Sequence, residues 1–216
     1  DAWAADVWGR NSLGTPPQGR ADYAFFQHIL ASLDPHTGRC AILFPHGVLF
    51  RREEQDMRRK LIESDRLDCV LGLGPNLFFN SPMEACVVIC RAQKPPERQG
   101  RVLFIDAVNE IARERAYSFL RPEHQQRIAD AYHAFVDAPG FCRVADLAQI
   151  AGNGHSLSIP LYVKRPKADT GKPEDQRTLR EVWDDWEQDG RAFWQQMDAL
   201  VETLDGLVAE QEVRGE

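Results

Sequence analysis

The 216-residue sequence lacks the segments that define several large classes of protein. No apolar run approaches the ~18 residues of a membrane-spanning helix. Phosphate-binding loops, EF-hand loops, H-E-x-x-H zinc motifs and G-x-S-x-G elbows are all absent. Gly72-Leu73-Gly74 begins like a dinucleotide fingerprint, but position 77 holds Leu and no helix is expected after it. We therefore expect no membrane association, no metal site and no standard nucleotide-binding loop.

Cysteine is scarce, and its spacing gives no disulfide framework. The chain has five cysteines and no C-x-x-C pair, which favours a reducing cytoplasm over secretion. Cys86 and Cys90 share one predicted strand, where four residues span about 13 Å, too far for a disulfide. We expect both to be buried as small apolar side chains.

Positive charge is also in deficit, because 26 basic residues face 33 acidic ones and the net charge is −7. Taken alone, this argues against a protein that coats nucleic acid. The deficit is local, however: residues 174–216 hold 4 basic and 13 acidic residues, and residues 1–173 hold 22 and 20. The acidity belongs to the C-terminal segment, so it does not exclude membership of a DNA-binding assembly.

What the sequence contains is an alternation of helix and strand. Apolar residues at helical spacing predict helices over 21–33 and 51–63. Short apolar runs predict strands over 40–44, 68–73 and 84–91. The last two strands are too close for a parallel crossover, so we expect them to be antiparallel. The pattern predicts an α/β fold.

Downstream of these elements the sequence predicts one more strand over 102–105. Helices are expected over 109–119 and 122–135, the second beginning with Pro122 at a favourable position. A short helix over 144–151 and a strand over 157–163 follow.

The order of these elements predicts five segments. They are an irregular lead-in (1–20), an α/β region (21–107), a mainly helical extension (108–163), a polar linker (164–175) and a long amphipathic helix (176–213). In the last segment, apolar residues recur at alternating steps of four and three, the seam of a heptad repeat. Such a helix either packs on its own domain or pairs with a partner chain. Gly190 weakens the second possibility, because glycine costs about 1 kcal/mol relative to alanine.

Histidines are scattered and show no ligand spacing. His46 alone stands out, since Pro45-His46-Gly47 follows a predicted strand end, where α/β enzymes often carry function. A histidine in a turn is also commonly structural, so both interpretations stay open.

A set of motifs, taken together, resembles the modification subunit of type I restriction-modification systems. They lie at residues 21–28 (Ala-Asp-Tyr-Ala-Phe-Phe-Gln-His), 38–39 (Gly-Arg), 44–51 (Phe-Pro-His-Gly-Val-Leu-Phe-Arg), 58–63, 75–79 (Pro-Asn-Leu-Phe-Phe) and 84–89. Downstream, residues 102–107, 123–135 and 153–163 also fit the order of the family. These subunits transfer a methyl group from S-adenosylmethionine to the N6 amino group of adenine in DNA. The resemblance implies the C-terminal part of an S-adenosylmethionine-dependent methyltransferase sheet, with its last strand antiparallel, followed by a mainly helical tail. It also implies DNA, a specificity subunit and a restriction subunit as partners.

The family's catalytic motif is not found in the chain. That motif places an Asn or Asp before two prolines and an aromatic residue after them, whereas Pro16-Pro17 and Pro95-Pro96 have neither neighbour. The glycine-rich turn that binds the methyl donor is absent as well. We therefore expect a C-terminal portion of such a subunit, with no catalytic residue of its own and no methyl transfer when alone.

The resemblance assigns site roles to three aromatic residues. Phe25 would line the edge of the S-adenosylmethionine pocket, and Phe78 or Phe79 would border the target adenine. Ordinary core packing is the alternative for all three. Two other functions also remain open: a module that docks the specificity subunit through its C-terminal helix, and part of a methyltransferase for RNA or protein.

Overall fold

A five-stranded mixed sheet organises the first of two units in the chain. The computed structural model describes residues 3–78, 81–114, 117–164 and 178–213. The units are Asp1–Ala168, which contains the sheet, and Asp169–Glu216, which contains one long helix. No helix within the described ranges is both long enough and apolar enough to cross a membrane.

Strands and helices alternate along the first unit. The strands are β1 (Arg39–Pro45), β2 (Leu67–Leu73), β3 (Ala85–Arg91), β4 (Arg101–Ala107), β5 (Ala112–Glu114), β6 (Tyr117–Phe119) and β7 (Cys142–Asp146). The helices are α1 (Asp22–Ala31), α2 (Gln55–Glu63), α3 (Pro122–Ala134), α4 (Leu147–Gly152) and, in the second unit, α5 (Leu179–Val213). Short 3-10 turns occupy His46–Leu49, Arg52–Glu54, Pro96–Arg98 and Ile159–Leu161.

The sheet has the order β1-β3-β2-β4-β7. β1 and β2 are connected through α2 and run in the same direction, and β3 returns between them, antiparallel to both. β4 lies parallel to β2, and β7 pairs with β4 in the antiparallel sense. The prediction that strand 84–91 is antiparallel to strand 68–73 is confirmed. The carboxyl ends of β1, β2 and β4 consequently meet at one edge of the sheet.

Apolar side chains cover both faces of the sheet. All seven residues of β2 are buried, which explains why this strand is apolar apart from Asp68. On one face, α1 contributes Tyr23, Phe26 and Leu30 to the larger core. On the other face, α3 packs Ile128 and further side chains against the smaller core. The predicted α/β class is confirmed, and the helices form layers on both sides of the sheet.

A buried charged cluster joins β2, β3 and α3. The carboxylate of Asp68 is fully buried and accepts hydrogen bonds from Arg91 Nε at 2.9 Å and Arg98 Nη1 at 3.1 Å. It also accepts one from the Tyr132 hydroxyl at 2.6 Å. The Arg98 guanidinium lies over the rings of Tyr132 and Phe135, 4.9 and 4.4 Å from their centres. The cluster therefore fixes α3 against the sheet.

The predicted helix over 109–119 is wrong, because this segment contains the hairpin β5–β6. Its residues have good helix propensity, but an isolated helix shorter than ~12 residues is marginal in water. Tertiary contacts decide the outcome: Ala112 and Ser118 are buried, and Ser118 N–H donates to Asn76 O at 3.0 Å. The stretch 108–163, expected to be mainly helical, thus contains a hairpin and also supplies β7 to the sheet.

The predicted helix over 144–151 is half right, because its first residues belong to β7 and α4 begins at Leu147. Residues 142–146 cover the free edge of β4, where they make an antiparallel ladder from Ile105 to Arg101. The Asp146 carboxylate then caps α4 by accepting from Gln149 N at 2.7 Å, and Gln149 Oε1 accepts from Asp146 N. This capping box was a readable helix-start signal.

The strand predicted over 157–163 is also wrong, since the segment forms the 3-10 turn Ile159–Leu161. Pro160 has no N–H to give to a strand ladder. Instead, Leu157, Ile159 and Val163 enter the larger core. The Tyr162 ring stacks on Phe104, 3.9 Å between centres, which holds the turn on the sheet.

The long C-terminal helix is present as a single element over Leu179–Val213. Gly190 does not interrupt it, and a Cβ at Gly190 would lie 3.1 Å from the Trp194 ring. Most of the predicted linker, from residue 165 to residue 175, lies outside the described residues. The boundaries proposed for the five segments stay predictions.

Candidate functional site

The edge where β1, β2 and β4 end carries an apolar cavity of about 320 Å³. Its wall is formed by the end of β1, the beginning of β3 and the segment between β2 and β3. The lining residues are Leu43, Phe44, Pro45, Phe78, Ser81, Met83, Glu84 and Ala85. In sheets of this kind, ligands bind outside the carboxyl ends of the strands, so the cavity lies where a substrate is expected.

The turn after β1 is held in place by buried and partly buried hydrogen bonds. His46 Nε2 lies 2.9 Å from Ala85 O, which ties this turn to the beginning of β3. The Tyr23 hydroxyl donates to Val48 O at 3.2 Å, and Arg58 Nη1 donates to Arg51 O at 2.6 Å. These contacts explain the Pro-His-Gly-Val-Leu-Phe-Arg motif as a structural turn. Of the two interpretations of His46, the geometry supports the structural one.

An ion cluster lies directly beyond this turn. Arg51 Nη1 is 2.8 Å from Asp22 Oδ2 and 3.4 Å from Glu54 Oε1. Burial raises the pKa of Glu54, and the neighbouring Arg51 partly offsets this effect. A side chain at Gly47 would overlap the Arg51 guanidinium and would push it away from its carboxylate partners. The cluster anchors the first turn of α1 to the segment leading into α2.

The segment after β2 approaches the hairpin closely. A Cβ at Gly74 would lie 2.5 Å from Val108 O, so only glycine allows the two chain segments to come together here. Asn76 adopts a positive φ of 60° and accepts the Ser118 N–H through its carbonyl. Phe78 then forms an isolated bridge with Ser81 at the wall of the cavity.

The three predicted site residues have different outcomes. Phe78 lines the cavity and is partly buried against the smaller core, so it combines packing with access to the cavity. Phe25 lies on the face of α1 opposite Tyr23 and Phe26 and is 66% exposed. Core packing, the alternative considered for Phe25, is therefore not what the structure has. Phe79 lies outside the described residues. The proposed roles of all three in ligand binding remain predictions.

Sequence reasoning missed the other walls of the cavity. Leu43 and Met83 line it and remain 48% and 63% exposed, which is unusual for large apolar side chains on two neighbouring segments. The available signal was the position of Leu43 near the end of a predicted strand. Met83 precedes strand β3 in an irregular segment, where residue pattern gives no indication of exposure.

A second and larger cavity, about 780 Å³, lies beside β7 and was not predicted. It is lined by residues 137–140, by Cys142 and Arg143 of β7, by Gln149, Gly152 and Asn153, and by residues 161–164. Arg143 Nη1 forms an exposed ion pair with Asp137 at 2.5 Å on its rim. Phe25 lines neither of these two cavities.

The smaller cavity does not suit a whole molecule of S-adenosylmethionine. That donor carries a cationic sulfonium, a ribose and an amino acid group, all of which require polar partners. The walls around Phe78 are mainly apolar, and Glu84 supplies the single carboxylate. The described residues around this cavity therefore do not form a site for the donor.

The mixed sheet, with an antiparallel strand between two parallel ones and helices on both faces, is similar to the sheet of type I restriction-modification methyltransferase structures. The chain belongs to the N-6 DNA methylase family, whose pattern it matches over residues 2–170.

Known relatives of the chain are subunits of type I restriction enzymes. The MjaVIII methylase subunit of Methanocaldococcus jannaschii is 32% identical over 177 residues, which cover 74% of this chain and 30% of that protein. The HindI methylase subunit of Haemophilus influenzae is 32% identical over 164 residues, 71% of this chain and 36% of that protein. The methyltransferase subunit from a type I system of Streptococcus thermophilus aligns with a TM-score of 0.71 and 32% identity, over 76% of this chain and 34% of that one. The chain spans about a third of the length of these relatives.

Proposed function

We propose that the chain is part of the modification subunit of a type I restriction-modification system and contributes to methylation of the N6 amino group of adenine in DNA. The observation that carries the proposal is the cavity bordered by Phe78 at the carboxyl edge of a sheet that belongs to this family. S-adenosylmethionine is the methyl donor in this proposal. The cytoplasm is the proposed location.

The chemistry of the reaction explains why such a cavity is needed. An adenine inside a duplex is inaccessible, so an enzyme that modifies it must turn the base out into a pocket. An aromatic ring that stacks on the extruded base contributes about 1–3 kcal/mol per base. Phe78, on a wall that also contains Leu43 and Met83, can supply that surface. The chain's part in the reaction is to bind and orient the base.

We also propose that the chain does not transfer methyl groups by itself. β1 pairs on only one side within the described residues, and its five central residues, Cys40 to Phe44, carry no charge and no proline. Natural edge strands are normally protected by such residues. The unprotected edge supports the requirement for further strands beside β1, which would bring the donor-binding residues.

The direct test measures transfer of labelled methyl groups from S-adenosylmethionine to DNA. The 216-residue chain is assayed alone and after co-expression with the N-terminal part of the Streptococcus thermophilus subunit. We expect activity only in the second case, with N6-methyladenine as the product. Methyl transfer by the chain alone would contradict the proposal that it is inactive by itself. A folded, co-purifying pair that forms methylcytosine or no product would contradict the proposed reaction.

A second role is favoured by α5, which presents a row of exposed apolar side chains. Their exposed fractions range from 43% to 60% at Trp183, Trp186, Phe193, Trp194, Met197, Leu200 and Leu204. A contiguous row of exposed apolar side chains of this kind marks an interaction surface. We propose that this face, here called the α5 stripe, docks the specificity subunit, and that a restriction subunit completes the assembly.

Deletion of residues 176–216 separates the two roles. Co-purification with a specificity subunit is expected to be lost, because the α5 stripe is removed. The remaining sheet unit is expected to keep its fold and its melting temperature, as measured by circular dichroism. Retained co-purification would place the docking surface elsewhere.

A further inference from the structure

Two cysteines face each other across strands β1 and β3. Cys40 and Cys90 are direct partners in this antiparallel ladder. Two residues further along, Ala92 N–H donates to Gly38 O at 2.8 Å, and this fixes the phase of the ladder. Cys40 and Cys90 therefore occupy a hydrogen-bonded pair, in which Cα atoms are separated by about 5.5 Å. Most disulfides span about this distance.

The two thiols differ in access to solvent. Cys90 is fully buried in the larger core, whereas Cys40 is partly exposed on the edge strand. The neighbouring Cys90 is the main reason why the pKa of Cys40 falls to about 7, against the opposing effect of partial burial, and the charge of Arg66 also favours the thiolate.

The other cysteines have the opposite character. Burial raises the pKa of Cys86 to about 12, and it also raises the pKa of Cys69 and Cys142. Cys86 lies on the same strand as Cys90, but the residue opposite it is Phe44. The Cys40–Cys90 pair is thus distinguished by geometry as well as by thiolate character.

We propose that Cys40 and Cys90 form a reversible redox modification site, in which Cys40 is the reactive thiolate, Cys90 is the resolving cysteine, and the oxidant is hydrogen peroxide. A partly exposed cysteine with thiolate character next to a resolving cysteine is the arrangement that peroxide sensors use. The site is separate from the cavity at Phe78 and does not depend on the proposed methyl transfer. Because Cys40 lies on the edge strand β1, the oxidation is proposed for the chain while this edge is free, before further strands pair with it.

The oxidation proceeds in two balanced steps. The Cys40 thiolate attacks one oxygen of hydrogen peroxide, the O–O bond breaks, and Cys40 becomes a sulfenic acid while hydroxide leaves and takes up a proton to form water. The Cys90 sulfur then attacks the Cys40 sulfur, loses its proton, and displaces the second oxygen as water. Two thiols have given up two electrons, and one peroxide has become two water molecules. A dithiol reductant reverses the reaction by exchange.

Peptide mapping under non-reducing conditions tests the proposal in the full chain. After treatment with peroxide and alkylation of the remaining thiols, trypsin releases Cys40 within residues 40–51 and Cys90 within residues 67–91. The expected product is a cross-link between these peptides that disappears on reduction. Since residues 67–91 also contain Cys69 and Cys86, fragmentation of the cross-linked peptide must assign the bond to Cys90.

Matched variants identify the two partners. Cys90→Ala is expected to abolish the cross-link and to leave Cys40 as a sulfenic acid that a dimedone probe traps. Cys86→Ala, on the same strand, is expected to leave the cross-link unchanged. Without peroxide, Cys40 should react with iodoacetamide at least about tenfold faster than Cys86 at pH 7.

Three results would overturn the proposal. One is a peroxide-treated protein in which Cys40 remains a free thiol, and another is oxidation of Cys40 to sulfinic acid with Cys90 still reduced. The third is a cross-link that involves Cys69 or Cys86. Mapping of the unsubstituted chain gives each of these answers even if Cys90→Ala fails to fold.

Discussion

Asp68 shows how much of this fold depends on one buried carboxylate. Its side chain is fully buried and faces Arg91, Arg98 and Tyr132, which come from three different elements. Buried charges are tolerated only when they are paired, and removal of one partner leaves the others without compensation. The sequence offers no signal for this role, because an aspartate in a predicted strand reads as an ordinary strand end.

Asp68→Asn is expected to lower the free energy of unfolding by about 3 kcal/mol, because two arginines lose their counter-charge. Urea unfolding followed by circular dichroism measures the change. Asp137→Asn is the matched control, since it breaks the exposed ion pair with Arg143 and should cost less than about 1 kcal/mol. Equal effects of the two substitutions would show that the Asp68 cluster does not stabilise the fold.

At the proposed base site, Phe78→Ala is expected to reduce kcat/KM for DNA methylation in the reconstituted subunit by about 10- to 100-fold, because stacking on the base is lost. Phe78→Tyr should retain most of the activity. Tyr117→Ala is a control for surface aromatics, since Tyr117 is 63% exposed and does not line the cavity. A fall in melting temperature that accounts for the whole loss of activity would favour packing as the role of Phe78.

At the scale of elements, sequence pattern predicted the first half of the chain better than the second. α1, α2 and strands β1 to β4 all appear within a few residues of the predicted bounds, because their apolar periods agree with their burial. Residues 109–119 and 157–163 were assigned to the wrong class. Their conformation is decided by partners distant in sequence, such as Asn76 for the hairpin and Phe104 for the turn at Ile159.

The site could be predicted only in part for the same reason. The resemblance selected Phe78, which does line a cavity, but nothing in the local pattern indicated that Leu43 and Met83 would form the other walls. The order of the strands, and therefore the meeting of the ends of β1 and β2, depends on β3 returning between them. The position of β3 is decided by backbone pairing between strands that lie tens of residues apart in the sequence, so no short sequence motif indicates it.

The boundary between β7 and α4 depends on one cap, so Asp146→Ala is expected to destabilise α4. The lost bond to Gln149 N should cost about 1 kcal/mol. Hydrogen exchange of residues 147–152 is the appropriate measurement, because it resolves a short helix from the rest of the sheet. Asp130→Ala on α3, which removes only an exposed bond from Gln126, should leave these amides unchanged. Unaltered protection in Asp146→Ala would exclude the cap as the determinant of the helix start.

At the scale of the whole molecule, the acidic excess and the row of exposed apolar side chains both lie in the second unit. The acidic excess lies in residues 174–216, and the same segment carries the α5 stripe. A helix that exposes aromatic side chains beside many carboxylates suits a protein partner better than nucleic acid, since phosphates would be repelled. The net charge of −7 therefore reflects the C-terminal segment and gives no information about the substrate of the sheet unit.

Trp186→Glu is expected to abolish co-purification with a specificity subunit, because it places a charge in the middle of the α5 stripe. Gln188→Glu adds the same charge at a neighbouring exposed position and should leave association intact. Pull-down at equal expression gives the comparison. If both variants lose association, the added charge rather than the apolar stripe controls it. If both retain association, the α5 stripe is not the docking surface.

The distribution of tryptophan in the two units has a practical consequence. Of the five tryptophans, Trp183, Trp186 and Trp194 lie within three turns of α5, with neighbouring rings 5.2 and 5.6 Å apart, and Trp3 and Trp8 lie in the lead-in. Trp183 and Trp186 are more than half exposed. Three of the five fluorescent indoles therefore lie on α5, and a shift of the emission to shorter wavelength on titration with a partner would report the burial of this helix without any added label.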